Sequence, residues 1–313
     1  MTGNLQMRNV DYDLVIIGGG PAGLTAGLYA ARARLKVILV EKIVVGGQIA
    51  ISDWVENYPG FPEGLSGADL VQRLTEQAKK FGLNIENNEA VSVDLSHPVK
   101  TIVLNDRTVT AHTIIIATGA SPKKLGVPGE EIFYGKGVSS CATCDAPFFK
   151  GRIVAAVGGG DTAVKESLFL TKFVEKVYLI HRRDRLRAEM ILQERAFADE
   201  KIEIIWDSVL TGINGLTNIE NITVQNVKTK EEKTLSVGGC FIWVGEIPNT
   251  KFLTDGVKLD EKGFIVANLN MGTSIPGVFA AGDVRNTPLR QIATAVGDGA
   301  VAAFSAGHYI ENL

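Results

Sequence analysis

Two short, continuously apolar runs organise this chain, and each leads straight into a glycine-rich turn. Asp13-Leu-Val-Ile-Ile17 enters Gly18-Gly19-Gly20-Pro21-Ala22-Gly23, and Arg152-Ile-Val-Ala-Ala-Val157 enters Gly158-Gly159-Gly160-Asp161-Thr162-Ala163. A run without polar alternation predicts a strand buried on both faces, as in a parallel sheet. Beyond each turn comes a helical stretch, Leu24 to Arg34 in the first copy and Ala163 to Leu170 in the second. Each copy then closes with another apolar strand: Lys36-Val-Ile-Leu-Val40 ending at Glu41, and Lys176-Val-Tyr-Leu-Ile180 ending at His181. From the last small residue of the fingerprint to the residue closing the second strand is 18 positions in both copies, Gly23 to Glu41 and Ala163 to His181. Two β-α-β units of one design predict an α/β protein with two parallel-sheet domains.

Between the copies, Ala68 to Phe81 has the spacing of an amphipathic helix. Three β-like runs follow, at Ala90–Leu95, Thr101–Leu104 and Val109–Thr113, and a further apolar strand ends in Ala117-Thr118-Gly119. Pro122, Gly126, Pro128 and Gly129 then mark a linker. After the second copy, strands around Ile202–Trp206 and Ile222–Val227 precede Phe241-Ile-Trp-Val244, with Pro248 and Asn249 marking a second linker. The tail holds Val278-Phe-Ala-Ala281, then Gly282-Asp283, and a closing helix from Gln291 to Tyr309.

Composition sharpens this picture further. At 313 residues the chain is long enough for two domains with a core each. Its 34 glycines exceed the usual ~7%, and many stand at strand-to-helix turns as nucleotide folds require. A net charge of -3 gives no general attraction to nucleic acid or anionic membrane. The stretch from Met1 to Asp11 is polar and lacks an apolar signal core, and no run approaches the ~20 apolar residues of a membrane span. A cytoplasmic protein is the expectation. Three cysteines are too few for a disulfide scaffold, and two of them form Cys141-Ala142-Thr143-Cys144, which in a reducing compartment points to redox or metal chemistry.

The chemistry lies in three motifs. Gly18, Gly20 and Gly23 form a G-x-G-x-x-G turn that lets backbone approach a pyrophosphate at a helix N-terminus, and Glu41 can accept hydrogen bonds from a ribose diol. The second copy carries His181, Arg182 and Arg183 where the first carries its acid, with Arg187 about one turn on. Guanidinium groups there favour a ribose 2′-phosphate, so NADPH is expected over NADH, although charge runs are more often solvated surface. Cys141 and Cys144 admit three readings. A zinc site wants four ligands, and Cys240 and four histidines form no matching knuckle. A buried structural pair would leave the spacing without a use. A redox disulfide fits best, with Asp145 next to it able to exchange a proton. Cys240 reads as a small buried hydrophobe, His97, His112 and His308 read as structural or surface residues, and no Ser/His/Asp triad is present.

With these motifs in place, the chain from about Tyr12 to Asn312 resembles the low-molecular-weight, bacterial-type thioredoxin reductases. The resemblance runs through Gly18–Gly23, Gly46-Gly47-Gln48, Glu56-Asn57-Tyr58-Pro59-Gly60, Ala117-Thr118-Gly119, Cys141–Asp145, Gly158–Ala163, His181-Arg182-Arg183 with Arg187, Ala281-Gly282-Asp283-Val284 and Arg290-Gln291. It implies the class II pyridine nucleotide-disulfide oxidoreductase architecture: two Rossmann-like dinucleotide-binding domains, the second inserted into the first. Residues 1–122 and 250–313 would form a discontinuous FAD-binding domain. Residues 123–249 would form an NADPH-binding domain carrying the cysteine pair. By the same resemblance Gly18, Gly20, Pro21, Ala22, Gly23 and Glu41 hold the FAD adenosine and pyrophosphate. Gly46, Gly47, Gln48, Asn57, Ala117, Thr118, Gly119, Gly282, Asp283, Arg290, Gln291 and Ile292 complete its surroundings. Gly158, Gly160, Asp161, Thr162, Ala163, His181, Arg182, Arg183 and Arg187 would hold NADPH.

The implied reaction passes a hydride from NADPH to FAD and electrons on to the Cys141–Cys144 disulfide. They then pass to thioredoxin or a similar small redox protein. Cys144 would face the flavin and Cys141 the partner, with Asp145 as the acid; the sequence alone does not order the two thiols. The resemblance also implies a homodimer and an inserted domain that rotates between two arrangements. Ala146 departs from the glycine common after the acid. Relatives that draw electrons from ferredoxin lack the arginines present here, and flavoproteins feeding a peroxiredoxin carry an extra N-terminal redox domain, for which there is no room before Asp13. A dithiol oxidase has little need of Arg182, Arg183 and Arg187, and a non-catalytic sensor little need of Cys144.

Overall fold

A computed structural model describes residues 10–52, 54–253 and 256–313; the expectation about the polar N-terminus therefore falls, for residues 1–9, outside the described residues. The chain runs through β1 (Tyr12–Ile17), α1 (Pro21–Arg32), β2 (Val37–Glu41), α2 (Gly67–Lys80), β3 (Asn84–Asn87), β4 (Ala90–Asp94), β5 (Lys100–Leu104), β6 (Thr108–Ile116) and β7 (Ala120–Pro122). It continues through α3 (Glu130–Phe133), β8 (Val138–Ser139), α4 (Ala142–Asp145), β9 (Ile153–Val157), α5 (Asp161–Leu170), β10 (Lys176–Ile180), α6 (Met190–Ala198) and β11 (Ile202–Ile205). The remaining elements are β12 (Ser208–Gly215), β13 (Ile219–Asn226), β14 (Glu232–Ser236), β15 (Gly239–Ile242), β16 (Glu246–Pro248), β17 (Val278–Ala280) and α7 (Ile292–Glu311).

These elements form two compact units. One comprises Met1–Ser121 and Ile247–Leu313, the other Pro122–Glu246. The chain crosses between them through β7 and β16, which pair with each other as a two-stranded ribbon.

In the first unit the strand order is β3-β2-β1-β6-β5-β4, with β17 also on β6. Leu14, Val15, Ile16 and Ile17 of β1 are buried because parallel neighbours flank them, β2 on one side and β6 on the other. Nine-residue β6 serves two partners along one edge: its Thr108–Ala111 half pairs antiparallel with β5, and Ile114–Ile116 pairs parallel with β17. Helices α1 and α7 cover one face, where Ala22, Ala26, Ala30, Ala302, Ala303 and Ala306 are small enough for close helix approach. Helix α1 begins at Pro21 rather than at the expected Leu24, because proline is at home in a first turn whose N–H groups have no intrahelical partner.

The inserted unit repeats the plan with a wholly parallel sheet, β11-β10-β9-β15-β8. Beside it stands an antiparallel meander, β12-β13-β14, of which only the middle strand was expected. The meander packs Leu210, Ile213, Ile222, Val224 and Leu235 into the same core as Ala155, Val157 and Ile180 of the sheet.

Candidate active site

The cysteine pair sits on one short turn of the inserted unit. Cys141 precedes α4 and is disulfide-bonded to Cys144 within it. Buried Ala142 and Ala146 anchor this turn, while Cys144 is exposed and Cys141 and Asp145 are half-buried. Its polar groups are tied down one by one. The Cys141 N–H donates to Ser139 Oγ at 2.9 Å, the Cys144 N–H donates to Cys141 Sγ at 3.2 Å, and the Asp145 N–H donates to the Cys141 carbonyl at 3.2 Å. From β15's end, Trp243 Nε1 donates to the Ser140 carbonyl at 3.0 Å. Beneath lies an aromatic row, Phe149 edge-on to Phe241 at 5.4 Å and Phe241 stacked on Trp243 at 5.6 Å. Cys240, by contrast, is buried and burial pushes its thiol up to about 12, which keeps it protonated and inert. Among the described residues no group of His, Cys, Asp and Glu could hold a metal ion, and the disulfide itself is the finding that favours redox over zinc.

Each glycine fingerprint forms a cradle of one design. Gly20 and Gly160 cap α1 and α5 without any side-chain hydrogen bond, leaving the first N–H groups of both helices free for an anion. A Cβ on Gly20 would meet nothing within 4 Å, so the cradle is open where a pyrophosphate approaches. Gly18 has φ +106° and packs against the Ala117 carbonyl, and a Cβ on Gly23 would strike the Gly18 carbonyl. The middle glycine rests on the strand-end residue in both copies: Gly19 on Glu41 and Gly159 on the His181 ring. Glu41 accepts from the Gly19 N–H at 2.7 Å and the Ile43 N–H at 3.0 Å, and its carboxylate retains lone pairs for a ribose diol.

Other predicted residues of the first unit converge on this cradle or on each other. The Gly46 N–H donates to the Gly19 carbonyl at 2.8 Å, and Gly47 lies against Gly20. Gln48 Nε2 reaches the Ala120 carbonyl at 3.5 Å, and Asn57 Nδ2 donates to Gln291 Oε1 at 3.1 Å. Gln291 caps α7, and Ile292 packs on the Ile49–Leu70 cluster. Arg290 stacks its guanidinium 4.0 Å from the centre of the Phe264 ring and donates to the Asp283 carbonyl at 3.4 Å.

In the inserted unit Asp161 accepts from the Glu189 N–H at 2.8 Å, and the Arg187 N–H donates to the Gly159 carbonyl at 2.7 Å, which folds the arginine loop over the fingerprint. Arg182, Arg183 and Arg187 are exposed, and among the described residues no carboxylate forms an ion pair with them. Two uncapped cradles, one ending in an acid and one beside a loop that carries three exposed arginines, fit two dinucleotides.

Several positioning groups escape sequence reasoning. Thr118 Oγ1 donates to the Asn249 carbonyl and Asn249 Nδ2 to the Thr118 carbonyl, both at 2.8 Å. Asp298 on α7 accepts a forked pair from Arg285, 2.7 Å from Nε and 2.8 Å from Nη2, and the Gly282 N–H at 3.0 Å. Both side chains of that pair are largely buried, 15% and 10% exposed. Asp298→Ala strands the guanidinium and is expected to destabilise the first unit by about 3 kcal/mol. It should also loosen the Gly282-Asp283 turn, read as a lower melting temperature. Only Ser139 had a local signal, a hydroxyl two residues before the N–H it accepts from.

Residues 12–299 match the pyridine nucleotide-disulphide oxidoreductase family. The chain is 45% identical over 311 residues to a thioredoxin reductase of Peptoclostridium acidaminophilum, covering 97% of this chain and 98% of the relative. The chain belongs to this family, and within it to the thioredoxin reductases. A Bacillus subtilis thioredoxin reductase is 44% identical over 305 residues, covering 96% of each chain. The crystal structure of Lactococcus lactis thioredoxin reductase in its FR conformation superposes with a TM-score of 0.95 at 44% identity, over 97% of this chain and 100% of that one. The family fits a flavoprotein oxidoreductase with a redox-active disulfide. Among the described residues no helix is long and apolar enough to cross a membrane.

Proposed function

We propose that the chain is an NADPH:thioredoxin-disulfide reductase with FAD in the Gly18–Gly23 cradle and NADPH in the Gly158–Ala163 cradle. The observation that carries the reading is the Cys141–Cys144 disulfide, with Cys144 exposed, on the same unit as a glycine cradle whose adjoining loop carries exposed Arg182, Arg183 and Arg187. FAD, when bound, supplies the two-electron relay between a nicotinamide hydride and that disulfide.

The chain's own residues account for the rest. The uncapped starts of α1 and α5 bind the two pyrophosphates, Glu41 takes the FAD ribose, and Arg183 and Arg187 take the 2′-phosphate. Once reduced, Cys141 is the thiolate that attacks a partner's disulfide, because the Cys144 N–H directed at its sulfur favours the charged form. That attack forms a Cys141–partner mixed disulfide and releases one partner thiolate. Cys144 then attacks Cys141, restoring the internal disulfide and freeing the second partner thiolate, while Asp145 holds a proton for the departing sulfur. The balance is NADPH, one proton and an oxidised thioredoxin giving NADP⁺ and a dithiol. A homodimeric, cytoplasmic enzyme completes the reading.

The deciding experiment follows nicotinamide absorbance anaerobically with the yellow protein, comparing NADPH with NADH, each with and without oxidised thioredoxin. Fast NADPH oxidation that requires thioredoxin is expected. Flavin reduced by ferredoxin or by a dithiol, with NADPH untouched, would reassign the donor.

A further inference from the structure

His181 closes the second strand of the inserted unit's β-α-β motif, and its side chain is buried, only 4% exposed. Main-chain carbonyls engage both ring nitrogens: Nδ1 lies 2.8 Å from the Gly158 oxygen and Nε2 lies 2.9 Å from the Arg185 oxygen. A neutral imidazole has one N–H and donates to one of these carbonyls, whereas the imidazolium ion donates to both. The two carbonyls belong to the two segments that build the nucleotide cradle. Gly158 opens the glycine fingerprint, and Arg185 stands between Arg183 and Arg187. The same ring supports Gly159, where any Cβ would collide with it.

The surroundings of the ring are polar on one side and aromatic on the other. Trp206 meets it edge-on, 6.3 Å between centroids. The charges acting on it are the guanidinium groups of Arg187 and Arg183. Arg182, Asp184 and Arg185 are exposed on the same loop, and Asp161 at the start of α5 is engaged by the Glu189 N–H.

We infer that His181 is a positioning residue that becomes the doubly donating imidazolium when a 2′-phosphate enters the arginine loop, so that cofactor binding takes up a proton from solvent. This rests on reading the second cradle as an NADPH site. Burial above all, with Arg187 and Arg183 adding to it against the two carbonyls, holds the ring below its ordinary 6.5 in the ligand-free chain. A dianion among those guanidinium groups screens their repulsion and raises the value in the complex. The sign follows: affinity rises as pH falls between the value in the complex and the lower value in the free protein. The steepest slope is about tenfold per pH unit. The phosphate's own titration near pH ~6 works the opposite way, since a bound dianion has shed its proton.

The test is calorimetric titration of the FAD-loaded protein with NADP⁺ and with NAD⁺, between about pH 6 and 8, in buffers of different ionisation enthalpy. Wild type is compared with His181→Asn and His181→Gln, whose carboxamides can donate to one carbonyl but cannot titrate. Wild type is expected to take up more protons with NADP⁺ than either variant, by up to one per site. Its NADP⁺ affinity relative to theirs should grow by up to about tenfold per unit fall in pH. NAD⁺ should show no such difference. Nitrogen-15 spectra of histidine-labelled wild type decide the matter even if neither variant folds: of four histidines, one should gain a second ring N–H when NADP⁺ is added. NADP⁺ binding with no histidine becoming imidazolium, or with the same proton balance in all three proteins, overturns the inference and leaves the NADPH reading intact. Failure of NADP⁺ to bind overturns both.

Discussion

Cys144→Ser is expected to lower thioredoxin reduction by about 10³-fold or more, over 4 kcal/mol of barrier, while NADPH still bleaches the flavin. The two-step exchange requires a second thiol three residues from the first. Without it, Cys141 can attack the partner's disulfide but nothing attacks Cys141 in turn, so the mixed disulfide accumulates. Cys141→Ser removes the nucleophile that receives the Cys144 N–H and is expected to give the same loss of turnover without that adduct. Mass spectrometry of each variant, reduced and then mixed with oxidised thioredoxin, reads the difference. An adduct with Cys141→Ser and none with Cys144→Ser would invert the assigned order of the thiols. The fold should survive both changes, because the turn is held by Ser139, Trp243 and buried Ala142 and Ala146 as well as by the disulfide.

What was legible in the sequence divides along the range of the interactions. Strands β1, β2, β9 and β10 announce themselves, since residues buried on both faces leave an unbroken apolar run. Strands β12 and β14, on either side of the expected β13, do not: β14 is largely exposed, and the pairing of β12 is interrupted by register shifts at Leu210/Gly212 and Asn214/Gly215. Helix α6 escaped because Met190, Ile191 and Phe197 are exposed apolar residues that blur its polar face. The Cys141–Cys144 pairing was legible because its members are three residues apart. Trp243 and Ser140 meet across 103 residues and Asn249 and Thr118 across 131, and no window of sequence contains such contacts. His181 shows the limit most clearly. Its place after β10 put it among the cofactor residues, yet only in the folded chain do both its nitrogens meet carbonyls, those of Gly158 and Arg185.

The double substitution Arg183→Ala/Arg187→Ala is expected to raise the NADPH KM by about 10²-fold or more and to leave the NADH KM within about twofold. Each charge-assisted hydrogen bond to phosphate is worth about 1.5–3 kcal/mol, so two together exceed the energy of a hundredfold change. NADH has no 2′-phosphate and loses none of them. Because these groups bind ground state and transition state alike, kcat should hold while KM moves. Arg182→Ala is expected to do least, since the His181 ring at the base of the site feels Arg187 and Arg183. All three arginines are exposed, so added salt should weaken NADPH binding in the wild type and have little effect on the double variant. Unchanged KM values for both nucleotides would mean that the arginine loop acts by folding over Gly159 through the Arg187 N–H, and not by recognising phosphate. Steady-state kinetics with both cofactors at two ionic strengths separates these outcomes, because a main-chain hydrogen bond survives truncation of the side chain and a guanidinium–phosphate contact does not.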